Sequence, residues 1–266
     1  MSGLTDFGFV TAAAALVALT LYALRGGLRG LHGTSIVGMD PQSLGMGALA
    51  VVVAGWWWGP LFGGALIVAV MIHEFGHVAA YRVMGHSDAR FRLVPLFGGV
   101  AISNQMPASQ GRDFFIILLG PAISVAPMVL AYALAYWSWD YSEGVSDFLY
   151  VLGMVMAALN LFNLLPFWPL DGGQMLRILA WRIHPTLARQ LTFAMSGGLG
   201  IWGLLSQHLF LLIFALLGVS SALQAEQMSR AQRAMSWREW GWGLAAYLAT
   251  LAAHLAGAWG FVAGWF

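Results

Sequence analysis

Three polar side chains interrupt an apolar run in "MIHEFGHVAA" (71–80): His73, Glu74 and His77. On a helix, residues four apart share one face, so His73 and His77 can present two imidazoles to a single ion. That spacing suits zinc, with the histidines as ligands and Glu74 beside them to take a proton from a water. The preceding residues, Ala65–Met71, are apolar. Ionisable groups at membrane depth are costly unless partnered, which favours a functional site here over a polar contact between helices.

Two imidazoles are an incomplete set, because a catalytic zinc usually takes three protein ligands and keeps one position open. "NLLPFWPLDGGQ" (163–174) offers Asp171, the lone acid in a span end broken by Pro166 and Pro169 and followed by Gly172 and Gly173. The prolines stop a helix, and the glycines let neighbouring groups come close. Broken backbone at membrane depth is tolerated only where it is buried in protein or lines a cavity. Asp171 therefore reads as the third ligand, with an N-cap for the helix starting near Gly172 as the alternative.

The elements that must position these groups lie in lipid. The chain has 266 residues, of which 60% are hydrophobic and only 9% charged, whereas a soluble domain carries about 25% charged residues. The net charge of +1 gives no sign of a nucleic-acid partner, and the absence of cysteine excludes disulfides and thiolate metal sites. Every basic residue is Arg, a bias that fits a GC-rich genome, and the expected location is a prokaryotic cell membrane. The first apolar run follows no basic region and precedes no A-x-A-like cleavage site, so it reads as a retained span.

A crossing needs about 20 residues. Apolar runs at 7–24, 45–58, 61–84, 114–139, 148–165, 191–206, 209–225 and 241–266 give eight transmembrane helices. The expected fold is an all-α polytopic membrane protein forming a single integral membrane domain over 1–266. The stretch 45–58 is short, but "WWW" at 56–58 can anchor it at an interface. With eight spans and the N-terminus outside, all twelve arginines fall on the cytoplasmic side, as the positive-inside bias requires. "RFRLVPLFGGVAIS" (90–103) has β-branched and aromatic residues around "FGG", the pattern of a small β-hairpin after the His-bearing helix. His32, His86 and His184 fall near loops or span ends and read as solvated, while His254 stands alone in mid-span.

These motifs resemble the site-2 proteases, a family of intramembrane zinc metalloproteases. The resemblance rests on "HEFGH" (73–77), "LGPAIS" (119–124) and "NLLPFWPLDGG" (163–173), and covers a core from about 61 to 177. The spans at 7–24, 45–58, 191–206, 209–225 and 241–266 are then peripheral. It implies one zinc per chain on His73, His77 and Asp171, with Glu74 as general base. It also implies that Asn163 helps to hold or polarise the substrate carbonyl, a residue that otherwise reads as a helix C-cap. Ser124 stands where the family's Gly-Pro-x-x element usually has Asn. No stretch is long or polar enough for the PDZ or cystathionine-synthase-type domains of many relatives, so this looks like a minimal form.

The implied activity is hydrolysis of transmembrane segments of other membrane proteins, from an active site toward the cytoplasmic face. A hairpin edge at 90–103 could hold an unwound substrate segment as an added strand. Two other classes fit the composition. A transporter or channel would show two pseudo-symmetric halves with matching broken helices, and the sequence has one break, at 166–173. An inactive zinc-binding scaffold would have no use for Glu74. Nothing in the sequence sets the oligomeric state.

Overall fold

Gly59, at φ 93°, and Pro60 at the first helical turn open the helix that carries the histidines, α3. A fixed φ near −65° and no N–H to satisfy suit proline to that position. In this computed structural model, residues 2–28, 52–53, 55–57, 59–94 and 98–260 are described. The helices α1 (Ser2–Ala23) and α2 (Arg25–Leu28) precede α3 (Pro60–Val83). Strands β1 (Arg90–Val94) and β2 (Gly98–Ile102) follow, then α4 (Gln110–Ile123), α5 (Val125–Ser138) and α6 (Glu143–Asn163). The chain continues with α7 (Asp171–Ile183), α8 (Pro185–Ser206), α9 (Leu209–Ala231) and α10 (Trp237–Gly257).

Among the described residues, three helical stretches are long and apolar enough to cross a membrane: Pro60–Val83, Gln110–Ser138 and Glu143–Asn163. The run at 45–58 lies largely outside the described residues. The chain forms two compact units. One holds 1–105, 119–161 and 252–266, and the other holds 106–118 and 162–251.

In the first unit, small residues let helices approach closely. Ala65 and Ala69 of α3 share a core with Met128 and Ala131 of α5, with Leu152, Val155, Met156 and Ala157 of α6, and with Ala258. Helix α3 ends on Gly85, at φ 98°, where a side chain would be strained. The Gly85 N–H bonds the Arg82 carbonyl and the His86 N–H bonds the Tyr81 carbonyl, both at 3.0 Å. This double bond to the last turn folds the chain back over the helix end. His86 is thereby buried, contrary to its solvated reading: its Nδ1 lies 2.9 Å from Ser103 Oγ, and its ring packs on Tyr81. Ser103 donates to Asp88 Oδ1, and the Asn104 N–H to Asp88 Oδ2. The open end of the β ladder is thus tied to the foot of α3. The strands pair antiparallel, with Phe91 opposite Ala101 and Arg92 opposite Val100.

In the second unit, the segment before α10 is stitched to the start of α4. The Gln110 N–H donates to the Arg233 carbonyl, and its side-chain amide donates to the Ser229 carbonyl. Arg177 is buried and donates to the Ala225 carbonyl and the Ser229 hydroxyl. Burial pulls its pKa down, while the negative charge of Asp113 pulls it up. Helix α10 opens with a reciprocal cap: the Ser236 N–H donates to Glu239 Oε2, and the Glu239 N–H to Ser236 Oγ.

Hydrogen bonds from Arg233, reinforced by the Ser236 N–H, hold the Glu239 carboxyl down at about 2, against an ordinary 4.5. A folded value below the unfolded one contributes stability that is present above pH 4.5 and lost as pH falls toward about 2. Protection of the first-turn amides of α10, measured relative to their intrinsic exchange rates, should therefore fall across that window in the parent protein. Glu239→Gln should be weakly protected already at neutral pH and respond little to acid.

Candidate metal centre

The helix through Ile72–His77 sets His73 and His77 one turn apart on one face, and the distance between their Nε2 atoms is 3.2 Å. Two ligands on a tetrahedral ion at 2.0–2.1 Å stand about 3.3 Å apart, so the two nitrogens are spaced for one zinc. The tautomer agrees. Asn160 donates its amide N–H to the Met156 carbonyl at 2.7 Å, which turns Oδ1 toward His73. His73 Nδ1–H donates to that oxygen at 2.7 Å, leaving Nε2 with the lone pair a metal needs. Asn160 and His73 are both buried. A partner of this kind orients the ring, and its loss commonly weakens metal binding about 10- to 100-fold. Asn160→Ala should show that loss in chelator competition, and affinity equal to the parent's would contradict the assignment.

His77 is seated by glycine. A Cβ on Gly120 would fall 2.2 Å from His77 Nε2, and one on Gly76 would fall 2.2 Å from the Leu119 carbonyl oxygen. Helices α3 and α4 therefore cross where neither has a side chain, and the His77 ring occupies the space over Gly120. This gives the "LGPAIS" stretch a physical purpose. Glu74, half-buried next to the pair, accepts the Ala101 N–H at Oε2, 3.1 Å away. That amide comes from β2, so the ladder holds one oxygen of the carboxylate that stands beside the histidines.

Asp171 and Asn163 lie in the other unit. Asp171 is the first residue of α7, one past the N-cap, which is Leu170. The capping reading of Asp171 is therefore set aside: it is buried within the first turn. Gly172 and Gly173 are required by the backbone beside them, since a Cβ on Gly172 would meet the Leu164 carbonyl oxygen at 2.2 Å and one on Gly173 the Phe167 carbonyl at 2.4 Å. Asn163 ends α6 just before the broken stretch. Tyr247 donates its hydroxyl to the carbonyl of Leu164 at 2.8 Å, so a backbone group freed by the break is satisfied.

Residues 138–205 match the family model described as peptidase family M50, a stretch that includes Asn163 and Asp171. A zinc metalloprotease of Methanocaldococcus jannaschii is 28% identical over 162 residues, 57% of this chain and 45% of that protein. Over these stretches the chain is similar to peptidase family M50 and to a zinc metalloprotease. Stage IV sporulation protein FB of Bacillus subtilis is 31% identical over 115 residues, 43% of this chain and 38% of that protein. The chain thus spans less than half the length of the curated relatives it matches. A solved site-2 protease from Methanocaldococcus jannaschii aligns over 73% of this chain and 91% of its own, at 22% identity and a TM-score of 0.44. At that score the likeness carries no argument. The Asn160 contact to His73 and the His77 seat over Gly120 are features that sequence reading missed.

Proposed function

We propose that this chain is an intramembrane zinc endopeptidase that cuts transmembrane segments of other membrane proteins. The observation that carries the reading is the pair of imidazole Nε2 atoms 3.2 Å apart, with the His73 tautomer fixed and Glu74 alongside. His73, His77 and Asp171 would hold one zinc ion. Two imidazoles and a carboxylate are a donor set that could hold a metal, and the family match and the zinc metalloprotease relative support zinc. When bound, zinc supplies a Lewis acid that polarises the scissile carbonyl and acidifies a water.

The chain's own residues do the rest. The Glu74 carboxylate takes the proton of the attacking water and returns it to the leaving amine. Anchoring of Oε2 by the Ala101 N–H limits the rotation of that carboxylate. Asn163 donates a hydrogen bond to the oxygen that gains charge as the carbonyl is attacked. A helical substrate must first be unwound, because its peptide groups are bonded within the helix, and an edge of the β ladder would offer backbone partners to the extended segment.

The chain is an integral multi-pass protein of a prokaryotic cell membrane with eight crossings and a single membrane domain, its site toward the cytoplasmic face. Three apolar helices and the one-sided arginine distribution support this. Purified protein reconstituted with a single-span substrate should lose cleavage on chelation and regain it with added zinc. Cleavage that persists after the metal is removed would refute the reading.

A further inference from the structure

His254 is wholly buried, 0% exposed, in an apolar stretch of α10. Volume alone does not explain an imidazole there, since leucine or phenylalanine would fill the space without burying two polar nitrogens. One nitrogen has a defined task. His254 Nε2–H donates to the Pro121 carbonyl oxygen at 2.9 Å. The other, Nδ1, is buried with no hydrogen-bond partner, a cost that packing does not offset.

Pro121 stands at a weak point. It lies inside α4, three residues before Ser124, the single residue of helical backbone that joins α4 to α5. There the Ser124 N–H reaches back to the Pro121 carbonyl at 3.2 Å, a tightened turn in place of the regular ladder. The residue before it, Gly120, is the one over which the His77 ring sits, and Leu119 presents its carbonyl to Gly76. The acceptor of the His254 bond is therefore adjacent in the backbone to the seat of a proposed zinc ligand.

The turn of α10 that follows His254 is fixed in its own right. The Tyr132 hydroxyl donates to the Gly257 carbonyl at 2.8 Å, a Cβ on Gly257 would lie 2.6 Å from Met128 Sδ, and Ala258 joins the core of α3, α5 and α6. The imidazole is thus carried on a fixed support and donates to the tightened turn at the α4–α5 junction.

We infer that His254 is a positioning residue of the metal site, its hydrogen bond to the Pro121 carbonyl holding the tightened turn at the α4–α5 junction so that Gly120 keeps the His77 ring in place. This rests on the zinc site proposed above. His254→Phe keeps the ring volume and removes the donor, while His254→Gln keeps an N–H at similar reach. Zinc affinity, measured by chelator competition on full-length protein, is expected to fall about tenfold in the Phe variant and to stay within about twofold of the parent in the Gln variant. Parent affinity in the Phe variant, or equal losses in both, would overturn the inference, because a packing role would affect thermal unfolding without separating the two. Should the Phe variant not fold, the Gln variant decides: affinity near the parent's supports the inference, and a tenfold loss overturns it. Failure of the parent protein itself to bind zinc would instead refute the metal site, so the two failures are distinguishable.

Discussion

Glu74→Gln should keep one zinc per chain and lose cleavage of a transmembrane substrate by about 10²- to 10⁴-fold, the usual worth of a positioned general base. The substitution preserves shape and leaves an oxygen that can still accept the Ala101 N–H, so the β ladder keeps its tie to α3. Both histidines keep their spacing, and His73 keeps its bond to Asn160. What disappears is the capacity to accept a proton. The prediction therefore separates metal binding from chemistry: zinc content measured by elemental analysis stays at parent level while product formation collapses. Cleavage at the parent rate would remove Glu74 from the mechanism.

Asp171→Ala should do the reverse at the first step and empty the site. An apparent binding energy of about 10–16 kcal/mol is spread over the ligands of a protein zinc site, so deleting one should weaken binding at least about a hundredfold. The structural cost is small by comparison. Asp171 is the first residue of α7, where a carboxylate interacts with the helix dipole for about 0.3–1 kcal/mol. The close approach at Gly172 and Gly173 is untouched, so the broken stretch keeps its path. A folded protein that no longer retains zinc through dialysis is the expected result. Full zinc retention would leave Asp171 as a residue of the helix start alone.

The parts of this site legible in the sequence are those encoded by local spacing. His73 and His77 fall four apart, and a helix places them together whatever surrounds it. The glycines after Asp171 announced a close approach, and the Leu164 carbonyl occupies the space a side chain would fill. The helical stretch before Asn163 and the break at Pro166–Pro169 likewise follow from apolar length and proline. Features that depend on distant partners could not be read this way. Asn160 is 87 residues from His73, and nothing in "AALNLFN" marks its amide as the group that fixes an imidazole tautomer.

The same reason explains two histidines. His86 follows a helix end, where polar residues usually meet solvent, but the turn at Gly85 folds it back onto Tyr81 and Ser103. His254 lacks any polar neighbour in sequence, and its partner is the carbonyl of Pro121, 133 residues away. The Ser236–Glu239 cap, by contrast, was present in the sequence as Ser-x-x-Glu ahead of an apolar run, a local signal for where α10 begins.

The most direct test of an intramembrane zinc protease is the position of the cut. The protein reconstituted in lipid vesicles with a single-span substrate, with and without zinc, should release products whose masses place the cleaved bond within the transmembrane segment, and only when zinc is present. Products cut solely in the aqueous flanks, cleavage unchanged without zinc, or an intact substrate with zinc bound would contradict the account.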